Sequence, residues 1–249
     1  ADMPGSAMVL VKDLSYQPED LTPNYLEGLL VWLLKSDFTQ GCYRRENDTL
    51  TGYIDTLAGL CSDFFSLGVD SEPLLGHAEE LRELVYDIGN DRELLFVDVI
   101  AALIRRKVSN SSIRCLPEYT GLALETWRPV LERPGFMQEF WPAQRLLGEQ
   151  GVLSGSSAVV QMPTSAGKTK STEIIIRSAF LSGRAKVAVV VAPFRALCRE
   201  ITDSFRNAFE GENIVINELQ DVMDISEFDE ALIGFLSELA LPEAEASNT

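Results

Sequence analysis

Residues 162–169 read Met-Pro-Thr-Ser-Ala-Gly-Lys-Thr and contain side chains suited to binding phosphate. Gly167 lets the backbone approach a phosphate closely, Lys168 supplies a mobile ammonium, and Thr169 offers a hydroxyl to Mg²⁺. If the loop opens a helix, free backbone N–H groups and the helix dipole add positive charge there. The predicted ATP contacts in this loop are Thr164, Ser165, Ala166, Gly167, Lys168 and Thr169. Lys168 and Thr169 are the predicted catalytic pair, and Thr169 is the predicted metal ligand.

The residues around this loop alternate as a phosphate-binding loop requires. A short apolar run at residues 157–162 precedes it, a helical pattern follows at 168–181, and a β-branched run occupies 186–192. Another helical pattern comes next, and a third short run lies at 213–217. Strand, helix, strand, helix, strand is typical of a parallel sheet with right-handed crossovers. The pattern therefore predicts an α/β region.

Two other interpretations of the loop are weaker. Gly-Lys-Thr can arise by chance, but chance does not place it between an apolar run and a helical pattern. A dinucleotide fold requires Gly-x-Gly-x-x-Gly, which the sequence lacks, and a Lys-Thr pair suits a triphosphate with Mg²⁺. Met162 departs from the general motif, which has a glycine at that position.

Upstream of the loop, residues 22–132 have apolar positions three and four apart, which predicts amphipathic helices. Asn90 and Glu93 have the spacing of a capping box that opens one of them. Two stripes stand out, one with Leu50, Tyr53, Ile54, Leu57, Leu60, Cys61 and Phe64, the other with Leu74, Ala78, Leu81, Val85 and Ile88. The predicted organisation is a helical accessory domain at 1–135 and an α/β domain at 136–249.

The net charge of −17 is unevenly distributed along the chain. Residues 145–210 carry nine basic and five acidic side chains, whereas 1–144 carry 12 and 23, and 211–249 carry 0 and 10. Only the segment that holds the loop is basic, as a nucleotide or polynucleotide site favours. The acidic parts are expected to be solvated or to face a basic partner.

Composition argues against several other classes of protein. No apolar run approaches the roughly 18 to 20 residues of a membrane span, and the N-terminus lacks a secretion signal. The four cysteines form no C-x-x-C pair and His77 is the single histidine, so a zinc site is not expected. His77 is expected to pack or lie at the surface, and Cys61 to be a buried thiol. We expect a cytoplasmic protein.

Three segments together resemble superfamily 2 helicases of the DEAD/DEAH and DExH type. Residues 163–169 look like motif I, and Ala-Pro-Phe-Arg-Ala-Leu-Cys-Arg-Glu at 192–200 is similar to motif Ia. In the family, motif Ia grips the sugar-phosphate backbone, which assigns Arg195 and Arg199 to nucleic acid. An arginine there can fork onto phosphate oxygens, although a structural role for Arg195 stays open.

The third segment is Phe-Trp-Pro-Ala-Gln at residues 140–144, which resembles the part of these enzymes that holds adenine. The resemblance assigns Gln144 to the adenine edge, where its amide would both donate and accept a hydrogen bond. It also implies the fold: a partial RecA-like P-loop parallel-sheet domain preceded by an all-α domain. Trp141 can equally be a core residue.

The resemblance extends from about residue 136 to residue 217 and stops before motif II, the acidic pair that hydrolysis requires. Asp229 and Glu230 lie in a helical pattern, at 225–239, rather than at a strand end, so they are not expected to be that pair. The chain is therefore expected to be the N-terminal fragment of a helicase. It should bind ATP and Mg²⁺ but hydrolyse ATP poorly by itself.

Three functions are compatible with this sequence. The first is the nucleotide-binding part of an ATP-dependent nucleic-acid helicase or translocase, with a protein partner at the helical domain. The second is a nonenzymatic interaction module with a vestigial P-loop. The third is a nucleic-acid-stimulated ATPase that remodels complexes without unwinding. The sequence leaves the choice between DNA and RNA open.

Overall fold

The computed structural model describes residues 10–11, 26–38, 42, 50–163 and 166–218 of the 249-residue chain. Within these ranges nine helices have both ends described. They are α1 (Leu26–Lys35), α2 (Thr51–Leu67), α3 (Glu72–Ile88), α4 (Asp91–Asn110), α5 (Ser112–Thr120), α6 (Leu124–Leu131), α7 (Pro142–Glu149), α8 (Lys168–Leu181) and α9 (Arg195–Ala208). The hydropathy and length of every described helix fall short of what a bilayer crossing requires.

The chain divides into two compact units, residues 1–188 and 189–249. The first unit contains α1 to α8, and the second contains α9. The functional boundary that we expect after residue 135 stays a prediction.

The first four helices share one apolar core. α1 packs against α2 and α4, α2 packs against α3, and α3 packs against α4. Both predicted stripes face this core: Ile54, Leu57, Cys61, Phe64, Leu74, Ala78, Leu81 and Val85 are buried. Ile88 departs from its stripe because it is the last residue of α3 and is 57% exposed. The helical pattern of this region is confirmed.

The start of α4 is fixed by the predicted capping box at Asn90. The Asn90 side chain accepts hydrogen bonds from the backbone N–H groups of Arg92 and Glu93, at 3.0 and 3.2 Å. In return, the Asn90 N–H donates to the Glu93 carboxylate at 2.9 Å. These bonds satisfy donors that a helix start leaves open. They define where α4 begins, and α4 then runs to Asn110.

A second apolar core lies under α5, α6 and α8. It is built around Trp127, which is fully buried and whose indole N–H donates to the Thr120 hydroxyl at 3.1 Å. The buried side chains of this core are Cys115, Leu116, Trp127, Val130, Phe140, Leu153 and Ile174. Because Ile174 belongs to α8, the helix that opens after the phosphate loop is seated on this core.

α7 approaches α5 more closely than a side chain at the contact would allow. Gly148 of α7 lies against the ring of Tyr119, and a Cβ at position 148 would be 2.2 Å from Cδ2 of that ring. Such a distance is a severe clash, so the ring or the helix would have to move. The lack of a side chain at Gly148 therefore determines how closely α7 packs against α5.

Replacing Gly148 by alanine is expected to lower the free energy of unfolding by up to about 2 kcal/mol. The overpacking cost of about 1 to 3 kcal/mol outweighs the gain in helix propensity of about 1 kcal/mol. Urea unfolding of the two proteins measures the difference. Gly76→Ala on α3 is the matched control, since a Cβ at Gly76 meets no atom within 4 Å. A Gly148→Ala protein as stable as the Gly76→Ala protein would contradict this packing.

The prediction of a RecA-like parallel sheet is wrong for the described residues. The runs at 157–162, 186–192 and 213–217 are irregular and belong to no strand ladder. The described backbone contains one isolated antiparallel bridge, between Ser111 and Glu139. Val191 is 88% exposed and Val215 is 83% exposed, so the runs do not supply a buried sheet core.

The physical reason is that β-branched composition is a local preference, whereas a strand needs a partner for its backbone groups. In the described residues the three runs do not pair with one another. The sequence pattern could not test this, because pairing joins residues that are far apart along the chain. The intervening helix is confirmed, since α8 has the predicted bounds.

The second unit is described through α9. Thr202 and Phe205 are buried on one side of this helix, and Phe205 meets Phe209 edge to face at a centroid distance of 6.0 Å. The helix predicted at 225–239, with Asp229 and Glu230, lies outside the described residues.

Candidate functional site

The start of α8 presents backbone donors. Gly167 precedes the helix with φ 83° and ψ 31°, a left-handed conformation that glycine adopts readily. The first helical hydrogen bond runs from the Ser171 N–H to the Gly167 carbonyl at 2.9 Å. The N–H groups of Lys168, Thr169 and Lys170 come before that bond and have no partner within the helix. Such a helix start is a favourable position for an anion.

Gln144 and Trp141 lie beside this helix start. A Cβ at position 167 would be 3.0 Å from Nε2 of Gln144 and 3.7 Å from Cε3 of Trp141. The positive φ therefore favours glycine at position 167, and a Cβ there would press on the Gln144 amide. The structure brings together the loop and the upstream Gln144, two features that the sequence linked only by resemblance.

The Gln144 side chain is oriented by its own helix. Its Oε1 accepts a hydrogen bond from the Trp141 N–H at 2.8 Å, and the residue is buried. Nε2 makes no hydrogen bond to the described residues, so it is a free donor next to Gly167. The predicted adenine contact used both ends of the amide. Here the acceptor end already has a partner, and the donor end points toward the loop.

Lys168 and Lys170 differ in what holds their ammonium groups. Both side chains are exposed at the start of α8. The Lys170 Nζ lies 2.9 Å from the Glu173 carboxylate. Lys168 has no acidic partner among the described residues, and the Thr169 hydroxyl likewise makes no hydrogen bond there. Lys168 and Thr169 are therefore available to a ligand.

Glu173 is a site residue that the motif did not reveal. Its carboxylate is 3% exposed and also accepts a hydrogen bond from Nε of Arg177 at 3.0 Å. The available signal was the spacing of Lys170, Glu173 and Arg177, three and four residues apart on one helix face. The buried carboxylate is thus neutralised by two cations of its own helix. Glu173 therefore binds the Lys170 ammonium, whereas the Lys168 ammonium has no acidic partner among the described residues.

The far half of α8 is anchored to the turn before the loop. The Ser178 hydroxyl donates to the Leu153 carbonyl at 2.5 Å, and Nη2 of Arg184 donates to the same carbonyl at 2.9 Å. Gly155, at φ 113°, gives Arg184 its space, because a Cβ there would be 2.2 Å from Nη1. These bonds fix α8 relative to residues 151–156, so its first turn has a defined place.

The segment that leads into α7 is bound to the end of α4. The Phe140 N–H donates to the Asn110 carbonyl at 2.7 Å, and the Ser112 N–H donates to the Gln138 carbonyl at 2.8 Å. The Lys107 ammonium donates to the Glu139 carboxylate. These bonds hold α7 at the junction of α4 and α5.

Lys107 also stabilises the end of α1. Its Nζ donates to the Ser36 hydroxyl at 2.6 Å, and the side chain is 5% exposed. Ser36 has φ 56°, which is uncommon for a residue other than glycine. The buried Lys107 ammonium therefore binds both the Ser36 hydroxyl, at the end of α1, and the Glu139 carboxylate.

Two of the predicted loop contacts, Thr164 and Ser165, lie outside the described residues. Ala166 is described, and its N–H donates to the Pro163 carbonyl at 3.3 Å. Of the predicted nucleotide contacts, the structure thus describes Gln144, Ala166, Gly167, Lys168 and Thr169.

Arg195 and Arg199 belong to the second unit, where α9 begins. Both side chains are exposed, and their spacing of four residues places them on one face of the helix. The start of this helix is further held by the Cys198 thiol, which lies 3.8 Å from the Ala192 carbonyl. Their assignment to nucleic acid stays a prediction.

The thiols of Cys61 and Cys115 are buried and that of Cys42 is half-buried, and all three are protonated at neutral pH. Burial raises the pKa of Cys61 and of Cys42 to about 12, and burial raises the pKa of Cys115 to about 11. Since the thiolate is the reactive form, these cysteines are inert packing residues. The prediction for Cys61 is confirmed. In the described part of the chain, no group of three His, Cys, Asp or Glu side chains is arranged to hold a metal.

His77 is a half-buried packing residue, as predicted. Its ring stacks on Tyr53 at a centroid distance of 5.5 Å, and Nε2 lies 3.1 Å from the Tyr53 carbonyl. Nδ1 faces the Glu80 carboxylate at 3.0 Å. The ring bridges α2 and α3.

Comparison with known proteins gives two matches. Residues 142–235 match the family model of the DEAD/DEAH box helicases. Over 94 residues the chain is 30% identical to the Hachiman protein HamB of Bacillus cereus, an alignment that covers 38% of this chain and 8% of that protein. No solved structure matches significantly.

The matched segment contains the site. It begins at Pro142, the first residue of α7, and includes α8 and α9. The match supports a nucleotide-binding, helicase-like function and an interaction with nucleic acid. The resemblance to DEAD/DEAH helicases is thereby confirmed for this segment, whereas the DExH type and the fragment status stay predictions.

Proposed function

We propose that this chain supplies the ATP-binding segment of an ATP-dependent nucleic-acid helicase or translocase. The observation that carries the proposal is Lys168: an exposed lysine with no acidic partner in the described residues, at the first position of α8, within the segment that matches DEAD/DEAH helicases. An unpaired cation beside open helix N–H groups is suited to phosphate.

The residues of the helix start fit ATP and Mg²⁺. Lys168 and the N–H groups of the first turn would bind the β and γ phosphates, and the Thr169 hydroxyl would face the metal. Mg²⁺ supplies charge neutralisation between the phosphates. Gln144 would donate from Nε2 to the nucleotide or to the loop that binds it. Gly167 leaves the space beside the Gln144 amide unfilled, because a Cβ there would contact Nε2 of Gln144.

The remaining parts of the proposal concern nucleic acid and a partner. Arg195 and Arg199 would bind sugar-phosphate backbone without reading sequence. The helices of residues 1–135 would form an accessory domain that docks a protein partner. The support for the arginines is the helicase match, and the support for the helices is the apolar core that α1 to α4 share with one another.

A direct titration tests the nucleotide site. A fluorescent ATP analogue should bind the 249-residue chain saturably, ATP should displace it, and EDTA should weaken it, because phosphate binding is completed by Mg²⁺. NAD should not compete, since the loop lacks the dinucleotide pattern. Absence of saturable binding at millimolar nucleotide would reject the proposal, and competition by NAD would favour a dinucleotide site.

A further inference from the structure

Asn110, the last residue of α4, binds α7 through two oxygens. Its backbone carbonyl accepts the Phe140 N–H, and its Oδ1 accepts from Nη1 of Arg145, each at 2.7 Å. Asn110 is buried. The backbone bond holds the approach to α7, and the side-chain bond holds the first turn of the helix itself.

Arg145 has few other partners. Its Nε is buried and makes no hydrogen bond. Among the neighbours that interact with it, burial raises the pKa of Cys115 to about 11 and that of Tyr119 to about 12, so both are neutral at pH 7. Asn110 Oδ1 is therefore the acceptor that orients the guanidinium.

Arg145 follows Gln144 directly in a rigid helical turn. The N–H groups of both residues donate to the Trp141 carbonyl, at 2.9 Å for Gln144 and 3.0 Å for Arg145. A rotation that moves Arg145 must therefore move Gln144. Nε2 of Gln144 would lie 3.0 Å from a Cβ at Gly167, a separation that even a small shift of α7 would change.

α7 also depends on outside contacts for its geometry. It has eight residues, and a helix of that length is not stable alone in water. It is held by the contact between Gly148 and the Tyr119 ring and by the hydrogen bond from Arg145 to Asn110. Loss of the Asn110 bond would remove the polar contact that holds α7 and leave the half-buried Arg145 guanidinium, whose Nε is already buried without a partner, without its acceptor.

We propose that Asn110 and Arg145 are positioning residues of the nucleotide site, whose hydrogen bond sets Gln144 against Gly167. The inference rests on the proposed ATP site. It connects the helical residues upstream of position 135 to that site through one defined side-chain bond. The substrate-facing groups remain Gln144 and the loop, and Asn110 acts through them.

The test is a double-mutant cycle on the full chain. Asn110→Leu and Arg145→Met should each weaken binding of the fluorescent ATP analogue by about three- to tenfold, and the double variant should be no weaker than either. Asn110→Asp keeps an acceptor oxygen for Arg145 and should restore most of the affinity. Arg114→Met is the matched control, because Arg114 is exposed and pairs with Glu118 on its own helix.

Amide hydrogen exchange without nucleotide provides an independent reading. Exchange in residues 141–148 should rise in Asn110→Leu while α2 and α3 keep wild-type protection. If Asn110→Leu fails to fold, Arg145→Met and Asn110→Asp carry the test. Additive losses, no rescue by Asp, or wild-type affinity in both single variants would overturn the inference.

A different set of results is expected if the proposed ATP site itself is wrong. In that case wild-type protein does not bind the analogue, and the exchange pattern alone reports whether Asn110 holds α7. If the wild type binds and Lys168→Ala does not, but the Asn110 and Arg145 variants bind normally, the ATP site stands and the positioning role is rejected.

Discussion

Replacing Lys168 by alanine is expected to lower the affinity for ATP by about 10- to 100-fold, which is loss of detectable binding for a weak site. The ammonium is exposed, has no acidic partner among the described residues and stands at the N-terminus of α8. Charge-assisted hydrogen bonds to phosphate are stronger than neutral ones, and the other lysine of this first turn, Lys170, is bound by Glu173. Titration with the fluorescent ATP analogue measures the loss.

Lys170→Ala is the matched control for that variant. Lys170 is two residues further along the same helix, but its ammonium is bound by Glu173 at 2.9 Å. Removing it deletes the same charge from the same helix without deleting a free donor. We expect at most a small change in affinity. Equal losses in the two variants would mean that general charge, rather than Lys168 itself, binds the nucleotide.

Replacing Lys107 by methionine is expected to lower the free energy of unfolding by about 3 to 5 kcal/mol, the usual cost of breaking a buried ion pair. The Lys107 and Glu139 side chains are 5% and 13% exposed, so the remaining carboxylate is poorly solvated. The variant also removes the donor to Ser36, which has a positive φ. Urea unfolding at neutral pH measures the change.

Two further variants distinguish the loss of a buried ion pair from a general effect of removing charge. Arg105 lies on the same helix as Lys107 and pairs with Glu79 of α3, and the two side chains are 55% and 37% exposed. Arg105→Met breaks this exposed pair and should cost at most about 1 kcal/mol. Lys107→Met with Glu139→Leu removes both charges and should recover much of the lost stability. A double variant as unstable as Lys107→Met would show that Lys107 acts by packing instead.

The helices could be predicted because their signals are local. The Ile54, Leu57, Cys61, Phe64 stripe and the Asn90 capping box depend on residues three and four apart, and both are confirmed. The start of α8 at Lys168 also follows from its immediate neighbours. Short-range periodicity thus identified the elements that carry the site.

The sheet could not be predicted in the same way. Runs such as 186–192 record a preference for extended, buried backbone, but pairing depends on segments distant in the chain. In the described residues this pairing is absent, and Val189 and Val191 are exposed. The same distinction applies to the site, where the bond between Asn110 and Arg145 joins residues 35 positions apart.

The site was predicted in part. The loop motif identified Gly167, Lys168 and Thr169 from residue type alone, and the helicase resemblance added Gln144, which the structure places beside Gly167. Glu173 was missed although its spacing from Lys170 was visible, because a charged pair on a helix is usually at the surface. The burial of Glu173, on the inner face of α8, is a property of the tertiary fold.

The contact between Gly148 and the ring of Tyr119 has a consequence for sequence evolution. A larger residue at 148 has no room unless position 119 becomes smaller, so the two positions constrain each other's history. Homologues that retain this helix seat should keep glycine opposite an aromatic residue or change both positions together. Such paired substitution would identify the relatives in which α7, the helix that carries Gln144, packs in the same way.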